Sequence, residues 1–244
     1  MSERASAAAF GRQADVYAQE EVRRYPSDLI LSLSDPHDGD RHLDVGTGPG
    51  PLVQMLQPYL AFSVGTDIAP QMLSHFRRRA HQAAPILASA HHLPFGDESF
   101  DLVTCGSVYH HLDRPEVATR EIARVLKPGG RFLLIDMAGP EHEVRRTARD
   151  RIERVRDPSH VRILAPSQAR AVLHGAGFEV KEEERQVEDK RDDDWVRVSG
   201  GDLEKVREAM RRLQRLAAGF LALRWDGDHF LFRRERAYYL AVKG

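Results

Sequence analysis

A chain of 244 residues suits one large α/β domain or two small ones, and either can bury a substantial core. Its 36 basic residues nearly cancel 37 acidic ones, and the net charge of −1 gives no electrostatic case for nucleic acid or an anionic membrane as partner. The single cysteine, Cys105, excludes a disulfide frame and a cysteine-based zinc cluster within one chain.

At the N-terminus, Glu3, Arg4 and Arg12 stand in a stretch with no apolar h-region, so no signal peptide is expected. No run approaches the ~20 apolar residues of a membrane span, and the expectation is a cytoplasmic protein. Residues 5–33 read as helical. "RHLDV" (41–45), "AFSVGTD" (61–67), "PILAS" (85–89), "DLVTCG" (101–106) and "RFLLIDM" (131–137) read as strands bounded by turn residues. Between them, "PLVQMLQPYL", "PQMLSHFRRRAHQ" and "RPEVATREIARVL" carry apolar residues at spacings of three and four. Pro51, Pro70 and Pro115 are placed for first helical turns, and "KPGG" (127–130) halts the third helix. The alternation predicts a doubly wound, mostly parallel sheet with helices on both faces. Further on, 141–157 reads as a polar helix, and 166–187 as a helix, a Gly175/Gly177 stop and a strand. "EDKRDDDW" (188–195) reads as a charge-dense turn. Residues 202–220 follow as a helix with Leu203, Val206, Met210, Leu213, Leu216 and Phe220 on one apolar stripe, which packing on the domain accounts for. "FLFRRERAYYLAVKG" (230–244) supplies one or two closing strands.

Chemistry concentrates in "HLDVGTGPG" (42–50), a glycine loop that leaves the first strand and enters the first crossover helix. Glycine lets a ligand approach the main chain closely, and the carboxyl edge of such a strand is where open α/β sheets bind ligands. The spacing, with glycines at 46, 48 and 50 and proline at 51, is neither the dinucleotide fingerprint nor a phosphate-binding P-loop. A nicotinamide dehydrogenase is therefore disfavoured. Asp67 ends the second strand, where a carboxylate can accept hydrogen bonds from both ribose hydroxyls or cap the following helix; both roles can hold at once. Loop and strand-end acid together point to a nucleoside ligand.

"LDVGTGPG", "GTDIAPQML", "ASAHHLPFGDESFDLVTCGSVYHHL" and "EIARVLKPGGRFLLID", in this order across residues 40–137, resemble the motifs of class I S-adenosylmethionine-dependent methyltransferases. The similarity is to the small-molecule type grouped with ubiquinone/menaquinone-biosynthesis enzymes, and it continues through "RDPSHVR" and "HGAGFEV". The resemblance implies a Rossmann-like, seven-stranded domain over 1–244. Its parts are a helical N-terminal lid (1–35), a cofactor-binding core (36–140), an acceptor-side segment with the sixth strand (141–187), a helical insertion (188–228) and a closing strand (229–244). It implies S-adenosyl-L-methionine as cofactor, S-adenosyl-L-homocysteine as product, a small-molecule acceptor, and a monomer or homodimer. For the cofactor it implies loop amides of Gly46, Thr47, Gly48 and Gly50 and the Asp44 carboxylate near the methionine end, with Tyr17 in the lid close by. Asp67 is similar to the family's ribose acid. Where the family commonly has Asp for the adenine amino group this chain has Ser89, which leaves adenine to the main chain of Ala90 and to apolar contact with Ile68 and Met72. Cys105 is expected to pack near the cofactor.

Methyl transfer needs alignment, desolvation and, for a hydroxyl or amine acceptor, proton removal. Base candidates are His110 and His111, at the carboxyl end of the fourth strand, and His160, in a segment that in related enzymes commonly closes over the acceptor. Either of the adjacent histidines can instead simply pack. Arg162 can hold an acceptor anion or, more simply, a surface ion pair. No paired Asp/Asn motif follows the fourth strand, so no metal is expected. The expected activity is direct in-line transfer of methyl to a small organic acceptor. The alternatives are a relative that uses bound cofactor for cyclisation, rearrangement or decarboxylation, and a non-enzymatic binding protein.

Overall fold

The computed structural model describes residues 3–20 and 25–244, except for the side chains of Glu20 and residues 215–221. Strands β1 (Arg41–Val45), β2 (Phe62–Asp67), β3 (Ala84–Leu87), β4 (Phe100–Gly106) and β5 (Leu126–Met137) pair in parallel, in the order β3-β2-β1-β4-β5. β8 (Phe230–Lys243) runs antiparallel beside β5, and β6 (Phe178–Arg191) forms the far edge; the two-residue β7 (Arg224–Trp225) pairs only with β8. The sheet order reverses between β1 and β4, and the loops after these two strands lead to opposite sides. That topological switch point opens a crevice at their carboxyl ends.

Successive strand residues face opposite sides, which divides the core in two. Val103, Phe132 and Leu134 pack with Ala118 and Ile122 of α5 (Pro115–Val125) and Leu173 of α7 (Pro166–Gly175). Their neighbours Leu102, Leu133 and Ile135 pack on the other face with Ile30 and Leu33 of α2 (Ser27–Ser34) and with Leu52 and Leu56 of α3 (Pro51–Leu56). α3, α4 (Pro70–Arg79), α5 and α7 each begin at a proline, whose missing N–H costs nothing in a first turn.

β6 and β8 continue past β5 as a two-stranded ribbon, with Arg191 opposite Leu231 at its far end. α6 (Glu143–Arg156), α8 (Asp192–Ser199) and α9 (Leu203–Leu221) cover this ribbon with a separate apolar cluster of Ile152, Trp195, Val206, Met210 and Phe232. α1 (Glu3–Glu20) lies across α4: Arg79 donates to the Ala18 carbonyl, and His75 Nε2 meets Asp15 Oδ1 at 2.9 Å.

Three element expectations change. The segment 188–195 is not a turn: Glu188–Arg191 finish β6 and Asp192 opens α8. β6 is an edge strand whose alternate residues face solvent or cross-strand partners such as Glu188–Arg236, so charge does not prevent pairing there. "KPGG" ends α5 but also lies inside β5, where the register slips between the Phe100 and Leu102 pairings and Gly129 takes φ +73°. The N-terminal helical stretch is two helices, the second entered from Pro26; residues 21–24 of the expected single run lie outside the described residues. On the α9 stripe, Val206 and Met210 are fully buried, whereas the side chains of Leu216 and Phe220 lie outside those described.

Candidate active site

The glycine loop turns through three left-handed residues, Gly46, Gly48 and Gly50, at φ +67°, +55° and +89°. A Cβ on Gly46 would lie 2.3 Å from Val108 Cγ2, so the loop can sit against the end of β4 only as bare backbone. Gly50 has a different task. It caps α3, and a Cβ there would strike the Phe76 ring at 2.7 Å, so it sets the packing of α3 on α4 and is not on the cavity wall.

Asp67 ties the loop to the next helix. One oxygen accepts from Gly48 N at 3.0 Å and the other from Ala69 N at 2.8 Å, at the start of α4. Burial pushes this carboxyl up to about 6, against the pull of the Ala69, Gly48 and Ile68 amides. Beneath the loop, Asp44 ends a buried polar chain. Thr104 Oγ1 donates to Asp44 Oδ1 at 2.6 Å, so it must accept from His42 Nε2 at 2.9 Å, and His42 Nδ1 then accepts from Ser63 Oγ at 3.3 Å. Burial pushes His42 down to about 3 and keeps it neutral.

Asp44, Asp67 and the loop backbone border an open cleft. Asp44, Gly46, Thr47 and Gly48 form one wall. Asp67, Ile68 and Met72 from the β2 end form the next, followed by Ser89 and Ala90 after β3. Ser107, Val108, His111 and Leu112 close the β4 side, and Ser6, Phe10 and Tyr17 of α1 roof it. Thr47 Oγ1 is buried with no hydrogen-bond partner among the described residues.

Of the three histidines singled out from sequence, only His111 lines the cleft. His110 stacks behind it at 4.0 Å between ring centroids, its Nδ1 held at 2.6 Å by Asp136. His160 lies behind His110 at 5.7 Å and is buried, with Nε2 at 2.8 Å from Asp150. Both are enclosed by the segment after α6, which docks through Val161 N and Arg162 N onto the His110 carbonyl. Cys105 points into the core between β4 and α5, because the adjacent Gly106 is the strand residue that faces the cleft. Arg162 lies half-exposed at 3.9 Å from Glu116, as a surface pair.

Sequence reasoning passed over several lining residues. Glu3 accepts from the Ser89 hydroxyl and from His91 Nδ1, the latter at 2.7 Å, and Phe10 meets His111 edge-on at 4.8 Å. Neither carried a signal of its own: the resemblance implied a lid over 1–35 with Tyr17 close to the cofactor, but nothing local says which other residues of that helix face the cleft. Ser107, at φ +61° beside Tyr25 (Oγ to the phenol oxygen 3.3 Å), is a strained position of the kind that collects at functional sites. Among the described residues Asp192, Asp193 and His229 could together ligate a metal, but they lie on the distant ribbon and already pair with Arg207 and Arg191.

A methyltransferase-domain family model matches residues 43–134. The chain is 30% identical to an uncharacterized methyltransferase of Bacillus subtilis, YcgJ, over 84% of its own length and 83% of that protein. The crystal structure of YcgJ superposes with a TM-score of 0.81 at 26% identity, covering 89% of this chain and 97% of that one. A Bacillus halodurans structure reaches 0.84 at 27% identity, covering 89% and 98%. A Thermus thermophilus demethylmenaquinone methyltransferase is 39% identical over 48% of this chain and 54% of its own.

Proposed function

The chain belongs to the S-adenosylmethionine-dependent methyltransferase family, and from that premise we propose that it moves a methyl group onto a small organic acceptor by direct in-line displacement. The observation that carries this reading is the meeting of bare glycine-loop backbone and a buried Asp67 carboxylate on the wall of one cleft at the switch point of the sheet.

The residues present fit the cofactor. Thr47 Oγ1 is a buried polar atom with no hydrogen-bond partner among the described residues, and Gly46 brings bare backbone to the cleft wall. When bound, S-adenosylmethionine supplies a methyl group already activated by a positive sulfur. Asp67 would take the ribose hydroxyls while still holding Gly48. Asp44, oriented by Thr104, would face the ammonium group. Ile68 and Met72 would sandwich the adenine, with the Ala90 main chain and Ser89 at its edge; Ser89 already donates to Glu3, so it serves adenine only through that pair. Phe10, Val108 and Leu112 leave an apolar acceptor compartment beside His111 and exclude water from the reacting atoms.

Two measurements test the reading. Calorimetry should find S-adenosylhomocysteine bound to the folded protein, and a screen with methyl-labelled cofactor should place the label on an acceptor. Label that stays on the cofactor while the acceptor is rearranged would replace transfer with a non-methylating reaction.

A further inference from the structure

Of the three histidines singled out as bases from sequence, His111 is the one on the cleft wall, and its hydrogen bonds decide which nitrogen faces the cleft. Ser159 Oγ lies 2.6 Å from Asp157 Oδ1 and 3.1 Å from His111 Nδ1. A carboxylate only accepts, so the single serine proton goes to Asp157 and the serine oxygen accepts from His111 Nδ1–H. The Nε2 lone pair is left without a partner among the described residues, on a ring that borders the cleft. Asp157 Oδ2 is itself buried with no hydrogen bond, 4.0 Å from Arg156 Nη2, and has charge to spare for the relay.

We propose that His111, fixed in its Nδ1–H tautomer by Ser159 and Asp157, takes the acceptor's proton at Nε2, and that the acceptor is accordingly a protic nucleophile, a hydroxyl or an amine. The inference rests on the methyltransferase reading. The acceptor heteroatom bonds to the methyl carbon as the carbon–sulfur bond breaks, with its electron pair staying on sulfur. The acceptor's proton passes to Nε2, and the resulting imidazolium is balanced by Asp157 through the serine hydroxyl. Burial and the adjacent His110 hold His111 well below an ordinary histidine, so it waits in the neutral, accepting form. Asp157, although burial pushes it up, is drawn below the usual carboxylate range by Arg156 and by hydrogen bonds from Ser159, so it stays ionised. His111 is thus a catalytic residue, and Ser159 and Asp157 are positioning residues. The partly exposed His111 also abuts Phe10 of α1, so the same ring contacts the roof of the acceptor compartment.

Long-range proton–nitrogen correlation spectra of ¹⁵N-histidine-labelled protein at pH 7, with His111 assigned from His111→Gln, test this without any acceptor. The expected wild-type pattern is a protonated Nδ1 and a bare Nε2. Ser159→Ala should move the proton to Nε2, while Ser159→Thr keeps it on Nδ1. If Ser159→Ala does not fold, Ser159→Gly serves, because it likewise removes the hydroxyl that accepts the Nδ1 proton. A wild-type ring protonated at Nε2, or at both nitrogens, overturns the inference even where S-adenosylhomocysteine binds. Absence of that binding rejects the underlying methyltransferase reading instead, and the base role with it. With an acceptor from the labelled screen, Ser159→Ala should lower kcat about a hundredfold with little change in KM and with Ser159→Thr restoring rate; an unchanged kcat, or full loss in His110→Gln beside an active His111→Gln, overturns it.

Discussion

The Asp67 carboxylate supports α4 and the loop before any ligand arrives, a role that the sequence allowed beside ribose binding. Asp67→Ala would therefore disturb the loop as well as remove the ribose acceptor, and Asp67→Asn is the cleaner probe. It should weaken S-adenosylhomocysteine binding at least tenfold by calorimetry while leaving the folded state intact. In the proposed ribose role the ionised form would be the acceptor, so wild-type affinity should fall as pH drops from 7 through about 6, and the Asn variant should lose that slope. His42 carries the opposite linkage for folding. Its neutral form is favoured in the native state, so its stabilisation is complete above pH 6.5 and is lost as pH falls toward 3. At about 1.4 kcal/mol per unit, the denaturant midpoint should drop between pH 7 and 5, and less steeply in His42→Gln. Asp67 partly offsets this, since a carboxyl raised in the native state loses stability as pH rises from about 4 to 6. At Gly46, even alanine meets Val108 and a left-handed φ, so Gly46→Ala should abolish cofactor binding. Calorimetry with normal affinity would show that the loop relaxes.

α1 is the element whose role depends most on its neighbours. Its apolar residues are mostly alanines and it has no strong amphipathic face, yet Ala14 and Phe10 pack with Ala69 and Met72, and Gln13 Nε2 reaches the Ser199 carbonyl of α8 at 3.0 Å. It bridges the cofactor side and the helices over the ribbon. If it roofs the site, S-adenosylhomocysteine should slow amide exchange in residues 6–17 more than in α5, which lies under the sheet. Equal protection would remove α1 from the site. α6 is a second element defined by its partners. Its polarity reads as solvent exposure, but Arg149 and Glu153 are fully buried, Glu153 bridging Arg149 at 2.7 Å and Arg156 at 3.0 Å beneath Trp195. Glu153→Gln leaves two buried guanidinium groups short of a countercharge and should cost about 3–5 kcal/mol in chemical denaturation.

For the whole molecule, what the sequence determined by itself is the alternating frame and the nucleoside end of the site. A strand that is apolar on both faces, a glycine turn and a proline-started helix are local instructions, and their physics is complete within about ten residues. The same locality made Asp44, Gly46, Thr47, Gly48 and Asp67 legible as neighbours, because consecutive parallel strands deliver their carboxyl ends to one edge. Tertiary structure alone decided the other end of the cleft. Pairing with β8 made a strand of the charged 188–191 segment, and the return of α1 brought Glu3 and Phe10 to the cleft. The packing of 157–163 onto His110 buried His160, set His110 behind and gave His111 its serine. Those contacts join residues about 50 to 100 positions apart, and no pattern of polarity along a chain encodes which distant side chain will share a proton.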